Sequence, residues 1–186
     1  MDYLGYIVGE NKIVADEEKV AAVQNWPPPR DVTELRAFLG LTNTLLRFTP
    51  MYASHAAPLT NLLKGSLAKH DKIIWLPEHQ EAFDHLKAIL TTPTTLHMPD
   101  PRLPIILHTD WSLNAIGGWI SQEVDGQLLP IAYESRKLRP AEKNYSPYDG
   151  ELLALMHCLH TFRPYIHGRP IIIRTDQKAL QWITEQ

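Results

Sequence analysis

The feature that most constrains the fold is the stretch of residues 103–122, LPIILHTDWSLNAIGGWISQ. It predicts a short apolar strand over 105–109 that ends beside an acidic residue, Asp110. A tight connection that includes Gly117 and Gly118 is expected to lead into a second apolar strand. A carboxylate at the end of a buried strand, beside a glycine-containing hairpin, can hold a divalent metal at the edge of a sheet.

The chain after this stretch predicts a mixed sheet with flanking helices. Glu151 opens the expected long helix, and Asp176 follows the last expected strand. The pattern therefore predicts an α/β (α+β) domain in which three acids stand at strand or helix ends. Its expected elements are strands over 115–122 and 128–135 joined by a turn at Asp125-Gly126, a helix over 147–162, a strand over 171–174 and a helix over 179–184.

The first half is predicted to be mostly helical, and nothing in it resembles a catalytic motif. Gly40 is expected to divide one helix into two pieces, and the polar, proline-containing stretch 91–104 is the best domain boundary. We therefore expect domains at 1–100 and 101–186. The expected elements are a hairpin of strand 3–8 with residues 13–14, a helix capped by Asp16, a helix capped by Asp31 or Thr33, and helices over 56–63 and 77–90.

Composition limits the binding partners and the cellular compartment that are expected for this chain. The formal charge is −3, so the chain has no general electrostatic attraction to nucleic acid. The single cysteine, Cys158, excludes an internal disulfide and is expected to be a core thiol. Neither a signal peptide nor a membrane span is apparent, which predicts a soluble intracellular protein, cytoplasmic or nuclear.

Several motifs, in order and spacing, resemble one known family. HTDWS with AIGGWISQ, PIAYESRKLRPAEKNYSPYDGELLAL and FRPYIHGRPIIIRTDQKAL are similar to the ribonuclease H domain of reverse transcriptases from Ty3/gypsy-type retrotransposons. LGYIV, VQNWPPPRDVTELRAFLGLTN, APLTNLL and EAFDHLKAIL resemble the palm end, thumb and connection of the same polyproteins. The resemblance implies a helical thumb and connection segment followed by a C-terminally truncated ribonuclease H-like sheet. The polymerase motif Tyr-x-Asp-Asp does not occur in the sequence, so no polymerase activity is expected.

The resemblance also implies a chemistry, a cofactor and partners. Enzymes of this family cut the RNA strand of an RNA–DNA hybrid with two Mg²⁺ ions, for which Mn²⁺ can substitute, and carboxylates are suitable ligands for these hard cations. Asp110, Glu151 and Asp176 are the implied catalytic metal ligands. The remaining reverse transcriptase domains, or a second chain, are further expected partners. The implied hybrid-contacting residues are Gly117, Ser121 and Gln122. Arg136 and Lys137 belong to a small basic cluster after the third strand, which could contact a phosphate backbone or could simply be a solvated loop.

Other interpretations of the same residues remain open. Each acid has a purely structural alternative: Asp110 as a strand-end cap, Glu151 as a helix-start acid and Asp176 as an N-cap. The chain as a whole could be a catalytically inactive remnant that acts as a nucleic-acid-binding or protein-interaction module. The histidines, including His55 and His85, are scattered without metal-ligand spacing and are expected to be surface or boundary residues.

Overall fold

The computed structural model describes residues 2–3, 6–65, 68–92 and 94–175. They form a mixed α/β structure, as expected, and it contains two four-stranded sheets. The strands are β1 (Asp2–Tyr3), β2 (Tyr6–Val8), β3 (Lys12–Ala15), β4 (Leu96–His97), β5 (Ile105–Trp111), β6 (Ala115–Val124), β7 (Gln127–Lys137) and β8 (Ile171–Arg174). The α-helices are α1 (Glu17–Gln24), α2 (Val32–Asn43), α3 (Tyr52–Asn61), α4 (Pro77–Leu90), α5 (Pro147–Thr161) and α6 (Arg163–Ile166).

The first sheet is antiparallel throughout, in the order β1-β2-β3-β4. The stretch 3–8 was expected to be one strand, but Tyr3 pairs with Tyr6, so it contributes two strands. Leu96 pairs with Ile13, which brings the chain back to the first sheet after α4. Part of the polar stretch 91–104 is therefore an edge strand of the first sheet.

Side-chain caps start the first two helices where the sequence indicates. Asp16 accepts a hydrogen bond from the Glu18 backbone N–H at 2.9 Å, and Asp31 accepts one from Glu34 at 2.8 Å. The break expected at Gly40 was wrong, because α2 continues through it to Asn43. A glycine weakens a helix by about 1 kcal/mol but does not end it, and the buried face of α2 outweighs that cost.

An aromatic and aliphatic core holds the first half together. Phe38 of α2 and Phe83 of α4 lie at its centre, with their ring centroids 4.7 Å apart. The helix predicted over 77–90 is confirmed with those bounds. Full burial of one such phenylalanine contributes about 1.5–3 kcal/mol, so this cluster is a main source of stability.

The second sheet has the order β7-β6-β5-β8, with β5 antiparallel to β6 and parallel to β8. Gly117 and Gly118 lie inside β6 and not in the connection, which is formed by Ser112 and its neighbours. A Cβ atom at Gly118 would overlap with the His108 carbonyl oxygen, so only glycine fits there. The turn predicted at Asp125-Gly126 is confirmed, since both residues have positive φ (51° and 76°).

The second sheet is covered on both faces. A Cβ at Gly118 would lie 2.8 Å from the Cys158 sulfur on α5, whereas a Cβ at Gly117 would lie 2.9 Å from the Met51 sulfur next to α3. The Ala53 N–H donates to the Ser135 hydroxyl at 2.9 Å, which joins α3 to β7. The part of the chain that contains α1–α4, called the helical half below, is thus one of the two layers that cover the second sheet. None of the helices within the described ranges has the length and apolar character needed to cross a bilayer.

Candidate active site

Asp110 lies near the end of a central strand. The first three residues of β5 are buried, whereas Asp110 is exposed to solvent and pairs with Gly117 of β6. Its strand is parallel to β8, where Arg174 lies opposite His108. The chain therefore leaves β8 at the end of the sheet that carries Asp110. Asp176, the third predicted ligand, lies outside the described residues.

Glu151 enters the same region from α5. Ser146 caps this helix by accepting from the Asp149 N–H at 3.2 Å, and Pro147 occupies its first turn. Glu151 is half-buried, and its Oε2 atom is inaccessible to solvent. Because α5 packs across β5 and β6, the helix start and the end of β5 are neighbours.

A close contact between Trp111 and Gly150 joins the two acidic segments. A Cβ atom at Gly150 would lie 2.6 Å from Cδ1 of the indole and still closer to Nε1 and Cε2. Trp111 follows Asp110 in the chain, and Gly150 precedes Glu151. The contact therefore holds the end of β5 against the first turns of α5.

A cavity of about 160 Å³ opens beside Asp110 on the side of the helical half. Pro50 and Met51 form one wall, while His108, Trp119 and Tyr133 are on the sheet side. The imidazole of His108 stacks on Trp119 with ring centroids 4.1 Å apart and an interplanar angle of 10°. Burial lowers the pKa of His108, and the positive charge of Arg174 lowers it further.

This aromatic stack was missed at the level of sequence, although a signal was present. His108 and Asp110 are two residues apart in a strand, and such residues share a face of the sheet. Trp119 lies directly across from His108 in β6, and its indole in turn stacks on Tyr133 at 5.7 Å. The alternation of side chains along a strand could have placed His108 on the same face as Asp110. The positions of Trp119 and Tyr133 on that face, however, depend on the strand register, which the sequence does not show.

The donor set suits a hard divalent cation in its chemistry. Asp110 and Glu151 supply carboxylate oxygens, which Mg²⁺ and Mn²⁺ accept. Within the described ranges, no three acid, histidine or cysteine side chains are grouped closely enough to hold a metal ion. Two-metal binding by Asp110, Glu151 and Asp176 therefore stays a prediction.

The residues predicted to contact nucleic acid are mostly used inside the fold. Gly117 lies opposite Asp110 and is buried. Ser121 is fully buried, with its hydroxyl 3.4 Å from His108 Nε2. The buried Gln122 amide donates to the carbonyls of Asp100 (2.8 Å) and Leu103 (2.9 Å).

The two predicted basic contacts are also engaged within the chain. Arg136 makes a two-pronged ion pair with Glu142, with N–O distances of 2.7 and 3.0 Å. The Lys137 ammonium donates to the Thr60 hydroxyl at 2.9 Å and to the side-chain carbonyl of Asn61. The structure thus gives both cations a role in holding parts of this chain together.

Comparison with known proteins identifies the family. The protein-family model for the RNase H-like domain found in reverse transcriptase matches residues 75–173. The chain belongs to this family. The matched segment of this RNase H-like domain begins before α4 and ends in β8, so it includes both Asp110 and Glu151.

Curated relatives of this RNase H-like chain are retrotransposon polyproteins. The retrovirus-related Pol polyprotein from transposon opus of Drosophila melanogaster is 40% identical over 188 residues, covering 97% of this chain and 19% of the relative. The transposon Tf2-3 polyprotein of Schizosaccharomyces pombe is 34% identical over 181 residues, covering 96% of this chain and 13% of the relative. The chain thus spans a fifth or less of the length of these relatives.

Solved structures confirm the fold. The foamy viral protease-reverse transcriptase in complex with RNA/DNA hybrid has a TM-score of 0.80 at 24% identity, covering 100% of this chain and 25% of that chain. The same viral protein in complex with dsDNA has a TM-score of 0.74 at 23% identity, covering 97% and 38%. The family model and the curated relatives together confirm the predicted identification as a reverse transcriptase RNase H-like chain whose homologues are retrotransposon polyproteins.

Proposed function

We propose that this chain is the part of a retroelement polyprotein that hydrolyses the RNA strand of RNA–DNA hybrids. The observation that carries the proposal is the exposed Asp110 near the end of β5, in a chain of the RNase H-like family. The foamy viral relative in fold was solved with an RNA/DNA hybrid, which supports a hybrid as the substrate class.

Asp110 and Glu151 have roles that follow from their positions. Asp110 presents its carboxylate to solvent beside a cavity, and Glu151 approaches from the start of α5. Together with Asp176 they would hold Mg²⁺, or Mn²⁺ in its place. When bound, the two ions would activate the attacking water and stabilise the charge that develops on the leaving oxygen. The Trp111–Gly150 contact keeps the two backbone segments in fixed proximity.

Binding of the hybrid would depend on more than this chain. Arg136 and Lys137 are engaged internally, and the net charge of −3 gives little attraction to phosphates. We therefore propose that other domains of the polyprotein, or a second chain, supply further contacts with the nucleic acid.

A catalytically inactive remnant is the second candidate function. The same internal engagement of Arg136 and Lys137 favours it, because a protein-interaction module does not need free cations for a phosphate backbone. In that case the three acids would be present but would not catalyse hydrolysis. The surface of the second sheet would then bind a protein or a nucleic acid.

Cleavage of a labelled RNA–DNA hybrid distinguishes these functions. The chain, its Asp110→Asn variant and an Asp125→Asn control should be compared with Mg²⁺ and with Mn²⁺. The control makes the same isosteric change at an exposed turn residue with φ of 51°, a conformation that asparagine adopts readily. Circular dichroism should establish that all three proteins are folded.

The outcomes separate clearly. Cleavage by the chain and by the Asp125→Asn control, with a loss of at least about 100-fold in the Asp110→Asn variant, would support the nuclease. No cleavage by the folded chain with either metal would contradict an autonomous nuclease. Hybrid binding measured by fluorescence anisotropy would then distinguish a nucleic-acid-binding remnant from a protein-interaction module.

A further inference from the structure

Two histidines that are far apart in sequence meet on the surface of the helical half. His55 lies on α3 and His85 on α4, and the distance between His55 Nδ1 and His85 Nε2 is 3.2 Å. Their ring centroids are 5.0 Å apart, with an interplanar angle of 60°. One nitrogen of each ring therefore points toward the other.

This separation has a specific chemical meaning. Two ligand nitrogens bound to one tetrahedral Zn²⁺, each at about 2.0–2.1 Å, are about 3.3 Å apart. The His55–His85 distance matches that value without movement of either helix. A hydrogen bond between the two rings gives a similar distance between these nitrogens. The histidine pair can therefore exist in two states, one in which the nitrogens share a proton and one in which they bind the same metal ion.

We propose that His55 and His85 form a binding site for a divalent transition metal, Zn²⁺ being the best match, that links α3 to α4. The site lies in an open groove of about 420 Å³ that Glu78 and Glu81 also line. Glu81 is one helical turn before His85, and residues four apart share a face of a helix. Its exposed carboxylate can reach the metal by a change of rotamer, and water completes the coordination.

The two histidines are the part of this site that is already assembled. The described residues contain no ready group of three acid, histidine or cysteine side chains, so the third ligand must move on binding. Two imidazoles and one mobile carboxylate favour Zn²⁺ over Mg²⁺, because imidazole is a borderline-soft ligand and Mg²⁺ prefers oxygen. This site therefore differs in its metal preference from the acids at Asp110 and Glu151.

Both rings can offer a nitrogen lone pair to one ion, because one nitrogen of each imidazole faces the other ring. The proton shared between the rings would move to an outward-facing nitrogen, leaving both inner lone pairs for the metal. Glu78 and Glu81, which line the same groove, add favourable negative charge.

The test is a Zn²⁺ titration of the folded chain by isothermal calorimetry at pH 7.5. His55→Gln and His85→Gln should each weaken binding by at least about 10-fold, and Glu81→Gln by less. His70→Gln is the matched control, because His70 is exposed and lies outside the groove. Loss of Zn²⁺ binding in an Asp110→Asn variant but not in His55→Gln would place the ion at the proposed nuclease centre and would overturn the proposal.

Two further measurements complete the test. Saturating Zn²⁺ should raise the Tm of the chain by about 5 °C and should have a much smaller effect on the His55→Gln variant. Co²⁺ should give the visible absorption of a low-coordinate nitrogen–oxygen site in the chain but not in that variant. Equal Zn²⁺ affinity and equal Tm shifts in the chain, His55→Gln and His85→Gln would overturn the proposal.

Discussion

The indole of Trp111 lies against the backbone of Gly150 so closely that no side chain fits between them. This contact connects the end of β5 to the first turns of α5. Asp110 and Glu151 are the chain neighbours of these two residues, so each predicted ligand lies next to one side of the contact. Trp111 also packs beside the small cluster of Ile116, Leu138 and Ala154, which anchors the ring.

Gly150→Ala is expected to destabilise the protein by about 1–3 kcal/mol, although the same change usually favours a helix. The added methyl group would overlap with the Trp111 ring, and the ring could escape only by leaving its packed position. Urea unfolding measures the free energy. Gly40→Ala in α2 is the control, because nothing lies within 4 Å of its Cβ position; it should stabilise by about 0.5–1 kcal/mol. Equal changes in the free energy of unfolding for Gly150→Ala and Gly40→Ala would show that Trp111 does not restrict the space at Gly150.

Gly118→Ala is expected to cost more than Gly150→Ala, about 3 kcal/mol or more. Its methyl group would overlap with the His108 carbonyl oxygen, so β5 and β6 would have to separate. Adding Cys158→Ala should not restore stability, because the overlap with the backbone remains. By contrast, Trp111→Ala should reduce the additional cost of Gly150→Ala, which a double-mutant cycle in urea would measure.

Gln122→Glu is expected to destabilise by about 3 kcal/mol at pH 7. The Gln122 amide donates to the Asp100 and Leu103 carbonyls, and a carboxylate would place negative oxygens against both. Gln127→Glu makes the same change at an exposed residue of β7 and should stay within about 0.5 kcal/mol. Thermal and urea unfolding at pH 7 measure the difference. A neutral Gln122→Glu variant would show that this amide is not a structural link.

Arg136→Met is expected to lower the free energy of unfolding by about 2 kcal/mol at pH 7. This loss should become smaller in acid. The Arg136 hydrogen bond lowers the pKa of Glu142, and the Arg139 backbone N–H also lowers it, against the opposing effect of burial. The folded pKa is thus below the unfolded value of about 4.3, so this stabilisation is complete above that pH and is lost as pH falls through the folded pKa. The magnitude is reduced from that of a fully buried pair because the Arg136 side chain is 26% exposed.

Urea unfolding from pH 7 to pH 3 tests this dependence on pH. The difference between the chain and the Arg136→Met variant should be constant down to about pH 5 and should shrink below about pH 4. Arg139→Met is the comparison, because it keeps the backbone N–H that binds Glu142 and removes only the weaker effect of an exposed charge, so its pH-dependent difference should be much smaller. A difference that is independent of pH would show that the ion pair is not responsible.

The sequence by itself determined the features that depend on local chemistry. The caps at Asp16 and Asp31, the amphipathic helix Pro77–Leu90 and the turn at Asp125-Gly126 were all predicted, because each follows from a few neighbouring residues. The position of Asp110 near the end of a buried strand was predicted in the same way. Gly40 was misjudged because the burial of α2 depends on partners that are distant in sequence.

Only the tertiary structure decided which side chains meet. Gln122 and Arg136 were candidates for nucleic-acid contacts, which stay a prediction, and only the fold shows that they also bind Asp100, Leu103 and Glu142. His55 and His85 had no sequence spacing to relate them, but the packing of α3 against α4 brings their ring nitrogens to 3.2 Å. The physical reason is that periodicity and capping fix local backbone structure, whereas the partners of a polar side chain depend on strand register and helix packing.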